Sequence, residues 1–205
     1  MATRISTFVV LAAASMLFPV IPGTNPAVAE GAAQSAEQEI QRAREYFTNL
    51  ELINQDGETV RFFDDVLKDK VVVFNFIFTN CEGACPLMTH KLTMVRDRLE
   101  GKIGNPLQFV SLSLDPARDT PAAMKEFARM HNADHEGWVF LTGKPEHLDS
   151  IIKRLGQYTE DVEAHSTLML AGNVNTAHWM KIPPQDQPPQ IAEKLRKLLE
   201  DNESS

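Results

Sequence analysis

The chain has 205 residues, 20 of them Lys or Arg and 28 Asp or Glu, for a formal charge of −8. An acidic balance speaks against a nucleic-acid binder, which would present a basic face, and 43% hydrophobic with 23% charged residues excludes a disordered or collagen-like chain. With a leader of about 30 residues set aside, one domain's worth of chain remains; it can bury a core without staples, and two cysteines allow only one disulfide.

Arg4 is the only charged residue before Glu30. An apolar stretch follows over 8–20, then Pro22, Gly23, Asn25 and Pro26, then the small-x-small triplet Ala27-Val28-Ala29. This order predicts a signal peptide over 1–29 and an exported, periplasmic protein in an oxidising compartment. An uncleaved membrane anchor is the weaker reading, because the apolar stretch falls short of the roughly 20 residues that span a bilayer. Residues 30–36 are small and polar and predict a tether. Ile40, Ala43, Arg44 and Phe47 recur at helical spacing, so the segment 30–50 is a tether followed by a short helix. Residues 51–62 form a hairpin turned by Asp56-Gly57.

The run 70–78, Lys-Val-Val-Val-Phe-Asn-Phe-Ile-Phe, is a central strand buried on both faces. Met88, Leu92, Val95 and Leu99 then mark a helix over 88–99. A strand over 107–114 follows, and a helix over 121–130 with Thr120 as N-cap and Pro121 at its first position. A short strand over 139–141 and a helix over 145–155 come next. Strands over 167–171 and 177–182 are joined by 172–175, and a helix over 191–199 closes the chain. Strands alternating with helices, then a hairpin and a last helix, predict an α/β domain over 51–205. Its fold is thioredoxin-like, with a central mixed sheet flanked by helices and an added N-terminal hairpin.

Cys81-Glu82-Gly83-Ala84-Cys85-Pro86 stands where the buried strand gives way to a helix, the end of an α/β sheet at which ligands bind. A helix N-terminus favours the thiolate, which is both nucleophile and metal ligand. Cysteines at i and i+4 in a helix have Cβ atoms about 5–6 Å apart, wider than the 3.5–4.5 Å or so of a disulfide, whereas a shared metal tolerates the gap. Gly83 and Pro86 suggest an irregular loop that keeps both states open. Three readings stand: a structural pair or disulfide; a thiol–disulfide oxidoreductase, although such sites usually have two intervening residues; and a metal site. Two soft thiolates without a second cysteine pair point away from structural zinc and towards low-coordinate copper, given one more ligand. Among His90, His131, His135, His147, His165 and His178, the best candidate is His165, just before the strand at 167. His131 and His135 share a helical i, i+4 spacing but have polar neighbours and no third ligand. His90 could approach the cysteines but is expected to face outward, as are His147 and His178.

These residues resemble the Sco/SenC family of periplasmic and mitochondrial copper chaperones. The segment 76–86 looks like the family's strand and Cys-x-x-x-Cys-Pro, and 110–121 is similar to its Ser-x-Asp-Pro-x-Arg-Asp-Thr-Pro segment, with Asp115, Arg118 and Asp119. Glu163-Ala164-His165-Ser166 resembles the segment carrying the family's ligand histidine, and the resemblance extends over 54–199. It implies a thioredoxin-like fold and one copper ion, Cu(I) or Cu(II), on Cys81, Cys85 and His165. It also implies delivery of copper to cytochrome c oxidase subunit II or another copper protein, reduction of that protein's cysteines, or both. Asp115, Arg118 and Asp119 are expected to hold the loop beside the site through caps and ion pairs. Two departures stand out. Glu82-Gly83-Ala84 replaces a Pro-Asp-type start, and the Glu82 carboxylate should slightly oppose thiolate formation at Cys81. Ala164 stands where an Asp often precedes the histidine, so Glu163 or the backbone should orient the imidazole.

The reading is therefore an exported copper metallochaperone that comes near the membrane through its partner, and a monomer is expected. The alternative is a periplasmic thiol–disulfide oxidoreductase in which Cys81 attacks and Cys85 resolves. A copper sensor or buffer is the third reading.

Overall fold

The computed structural model describes residues 26–99 and 101–203. The apolar stretch expected to be a signal-peptide core lies outside the described residues. Helix α1 runs over Pro26–Phe47, so the segment 30–36, expected as a tether, is helical and the helix begins well before residue 37. The reason is local: 26–36 opens on a proline, which suits a first helical position, and is rich in alanine, the best helix former. Beyond it, Ile40, Ala43 and Phe47 pack on the sheet. Arg44 donates from Nε and Nη2 to the two Asp64 oxygens at 3.1 Å each, and Asn49 Nδ2 donates to Asp64 at 2.8 Å.

Strands β1 (Glu51–Asn54) and β2 (Thr59–Arg61) form the expected hairpin. Asn54 Oδ1 accepts from the N–H groups of Asp56 and Glu58, and Gly57 sits at φ +84°, where a side chain would be strained. A π-helical turn over Phe62–Leu67, not foreseen from the sequence, buries Phe62, Phe63, Val66 and Leu67. Its six residues are too short a run for periodicity to separate helix from strand.

The remaining elements are β3 (Val71–Ile77), α2 (Ala84–Arg98), β4 (Leu107–Ser113), α3 (Pro121–Met130), β5 (Trp138–Thr142), α4 (Pro145–Arg154), β6 (Met169–Asn173), β7 (His178–Ile182) and α5 (Pro188–Glu203). The seven strands form one mixed sheet in the order β2-β1-β5-β4-β3-β6-β7. β3 is parallel to β4 and antiparallel to β6, and β4 is parallel to β5. Every β3 residue is buried. Val71, Val73 and Ile77 join one core with Leu92, Val95, Met124, Phe127, Leu195 and Leu198 from α2, α3 and α5. Val72, Phe74 and Phe76 join a second core with Phe47, Phe62, Leu148 and Ile151 from α1, the π-helical turn and α4. Successive side chains of a strand point to opposite faces, so a run that is apolar on both faces, broken only by Asn75, serves both cores.

The β6–β7 hairpin is shifted from expectation: Gly172 and Asn173, read as connector, belong to β6. Gly172 pairs with Trp179, and a Cβ on Gly172 would lie 2.1 Å from the Trp179 ring. The ring instead packs against Phe47 and Phe74, with centroids 4.9 and 6.3 Å away. Gly172→Ala is expected to cost about 1–3 kcal/mol of stability through overpacking and to shift Trp179 emission. Urea unfolding followed by fluorescence checks this, and an unchanged midpoint would show that the ring yields freely.

Candidate metal centre

β3 ends at Ile77, and the turn beyond it carries Phe78, Thr79, Asn80 and Cys81. Cys81 N–H donates to Phe78 O at 3.1 Å, so Cys81 lies in a tight turn outside α2. α2 starts at Ala84, four residues earlier than expected, which makes Cys85 its second residue. The helical i, i+4 geometry considered from sequence therefore does not hold. One sulfur sits on the loop and the other on the first helical turn, and the Cys85 N–H donates to Cys81 Sγ at 3.4 Å. Both cysteines are free thiols, Cys81 half-buried and Cys85 buried.

The two thiols have opposite electrostatics. Burial pushes Cys81 up, but the N–H groups of Cys85, Gly83 and Ala84, with the Cys85 thiol hydrogen, outweigh it and hold Cys81 below the ordinary thiol value. Burial pushes Cys85 up to about 12; the Cys81 sulfur and the Asp119 carboxylate add to this, and the Phe78 N–H opposes it. Unpaired donors of a helix N-terminus thus converge on the loop sulfur, as their partial positive charge predicts. The Glu82 carboxylate, expected to oppose thiolate formation slightly, is exposed and is not among the largest influences on Cys81.

His165 follows a 3-10 turn over Val162–Ala164, an element the sequence did not announce. Its Nδ1 lies 2.7 Å from Val162 O. A carbonyl only accepts, so Nδ1 carries the proton and Nε2 is the ring nitrogen left to act as a ligand. Nε2 lies 4.0 Å from Cys85 Sγ. The orienting partner is thus the backbone, one of the two sources expected, and Glu163 is exposed. The ring edge rests on Phe78, with centroids 5.6 Å apart at 79°.

This donor set suits a soft cation. A sulfur and a nitrogen about 2.3 and 2.0 Å from one ion lie about 3.5–4.3 Å apart as the angle opens from tetrahedral to linear. The Cys85–His165 separation falls inside that range. Among the described residues no group of three His, Cys, Asp or Glu is gathered about one point, so sharing one ion among all three would require Cys81 to close onto the other two.

The third block lies directly behind. Asp119 is fully buried, and its Oδ1 accepts from Thr79 N–H at 2.8 Å and Thr79 Oγ1–H at 2.7 Å, while Oδ2 accepts from Ser113 Oγ at 2.5 Å. Arg118 pairs with Asp115 at 3.2 Å, and Thr120 caps α3 by accepting from Ala123 N–H at 3.2 Å. The other histidines lie elsewhere. His90 is exposed, and His131 lies on Phe127, its pKa lowered by burial. His135 Nδ1 lies 2.5 Å from Glu136 O, His147 Nδ1 lies 2.8 Å from Glu51 O, and His178 pairs with Asp201 at 2.7 Å. A groove of about 740 Å³ lies between α1 and the β6–β7 hairpin and has neither cysteine nor histidine in its lining. Sequence reasoning missed Phe78 and the Val162 carbonyl. Phe78 reads only as the last residue of an apolar run, and a backbone carbonyl carries no residue signature.

Known proteins are similar to this chain. The SCO1 protein homolog of Bacillus subtilis (strain 168) is 39% identical over 90 residues, 44% of this chain and 45% of that protein. The chain spans about half the length of the curated relatives it matches. Bradyrhizobium japonicum ScoI, solved with copper bound, superposes with a TM-score of 0.59 at 25% identity, covering 72% of this chain and 96% of that one. BsSco, described as having a disulfide switch and as a member of the Sco family of cytochrome c oxidase assembly proteins, superposes with a TM-score of 0.62 at 25% identity, covering 74% and 92%. The described α/β sheet and its flanking helices thus share the thioredoxin-like architecture of Sco proteins. The SCO1/SenC family model matches residues 38–200, and the chain belongs to the SCO1/SenC family.

Proposed function

We propose that this protein carries one copper ion as cargo on Cys81, Cys85 and His165. It hands the ion to, or reduces the cysteines of, cytochrome c oxidase subunit II or a similar copper protein. The observation that carries the reading is the imidazole. Val162 O fixes its tautomer, and Nε2 faces Cys85 Sγ at the separation of two ligands sharing an ion. A dithiol that only exchanges disulfides needs no such group. Two sulfurs and one imidazole select Cu(I) over harder cations. The copper bound to Bradyrhizobium ScoI and the membership of BsSco in a family of cytochrome c oxidase assembly proteins support the same assignment.

Release proceeds by ligand exchange: an incoming thiolate takes the ion as Cys81, the more exposed sulfur, lets go first. The leader at 1–29 supports export to the periplasm, where the partner would bring the protein near the membrane. Among the described residues no helix is long and apolar enough to cross a membrane.

One observation favours thiol–disulfide exchange as an accompanying activity. Cys81 is half-buried with a lowered pKa, whereas Cys85 is buried and protonated, the arrangement of an attacking and a resolving thiol. Copper and disulfide states exclude each other, because both need the same sulfurs.

Anaerobic titration of the reduced protein is expected to show one Cu(I) per chain, with affinity lowered at least about tenfold in both Cys81→Ser and His165→Ala. Unchanged affinity in His165→Ala would overturn the three-ligand site. Limited iodoacetamide treatment of the reduced protein, mapped by peptide mass, should label Cys81 ahead of Cys85. Equal labelling would contradict the assigned roles of the two sulfurs.

A further inference from the structure

Asp119 is a buried carboxylate whose hydrogen bonds come only from neutral donors: the Thr79 N–H, the Thr79 hydroxyl and the Ser113 hydroxyl. Its neighbour Arg118 points to Asp115, and among the described residues no Lys, Arg or His pairs with Asp119. Burying a carboxyl group there is costly unless its hydrogen bonds are kept, so the contacts it makes should matter to the site. They tie the end of β4 to the turn after β3, since Ser113 is the register partner of Ile77 and Thr79 lies two residues beyond.

That turn is the reference point for all three candidate ligands. Phe78 O accepts the Cys81 N–H at 3.1 Å. The Phe78 N–H favours the Cys85 thiolate, and the two side chains share one buried core. The Phe78 ring meets His165 edge-on at 5.6 Å. Whatever fixes Thr79 therefore fixes Phe78, and through it the spacing of two sulfurs and an imidazole.

We propose that the Asp119 carboxylate, through Thr79, holds Phe78 as the common support of Cys81, Cys85 and His165, and so keeps the site set for a metal rather than for a disulfide. Asp119 and Thr79 are positioning residues. With the clamp slackened, the turn can close until the sulfurs reach the narrower disulfide geometry. The redox step is exchange with glutathione: the dithiol is oxidised, glutathione disulfide is reduced, one protein S–S bond forms, the S–S bond of the oxidant breaks, and two glutathione thiols leave with the two protons. The copper side rests on the proposed function; the glutathione equilibrium is read without copper, so the two can fail separately.

The test uses the full chain and the variants Thr79→Val, Thr79→Ser, Asp119→Asn and, as a control in the core, Leu195→Ala. For Thr79→Val and Asp119→Asn the glutathione equilibrium should move at least about tenfold towards the disulfide, close to 30 mV for two electrons. Cu(I) affinity should fall by a similar factor. Thr79→Ser keeps the hydroxyl and should stay within about twofold of the parent on both readouts, as should Leu195→Ala despite its lower stability. Parent-like values in Thr79→Val and Asp119→Asn overturn the proposal. So does a shift in Leu195→Ala as large as theirs, because general loosening would then explain it. If Thr79→Val does not fold, Asp119→Asn decides alone.

Discussion

Burial of β3 on both faces is the constraint from which the site follows. The strand pairs with β4 on one side and β6 on the other, and its side chains feed two separate cores. A strand fixed in this way cannot slide or flip, because a one-residue slip would exchange the two sets of side chains. Its last residue, Ile77, is therefore a fixed point. Leu114 N–H donates to Ile77 O at 2.8 Å, extending the β4 pairing to the brink of the loop. Within four residues the chain passes from the immobile centre of the sheet to Cys81.

Rigid support matters to the proposed site because its two states differ little in geometry. The proposed metal state needs both sulfurs and the imidazole near one point, and a disulfide needs the sulfurs alone. The unlike surroundings of the two thiols give the pair a direction. The loop sulfur receives N–H donors from the start of α2, and the helical sulfur is sealed beneath it. The first is the more exposed sulfur.

Much of this was legible in the residues. The two-sided strand was readable from a β-branched and aromatic run broken only by Asn75, and α3 from its proline and threonine cap. Cys81, Cys85 and His165 were singled out because their side chains are chemically rare. The misreadings share a physical origin. α2 begins early because Gly83 and Ala84 carry no periodic apolar signal, and the alanine-rich start of α1 passed for a tether because small side chains look the same in a helix and in a linker. The β6–β7 register was set by Trp179 lying over Gly172, a contact between strands that no local pattern contains.

By itself the sequence determined the order of strands and helices and the donor types at the site, because hydrophobic period and side-chain chemistry are local properties. Only the tertiary structure decided that Val162 O orients the imidazole, that Phe78 touches all three candidate ligands, and that Asp119 binds Thr79 without a cation. Those contacts join residues up to 87 positions apart in the chain, from Phe78 to His165, or run through backbone atoms that every residue possesses. Side-chain identity cannot announce them; the packing of β3 between its neighbours does.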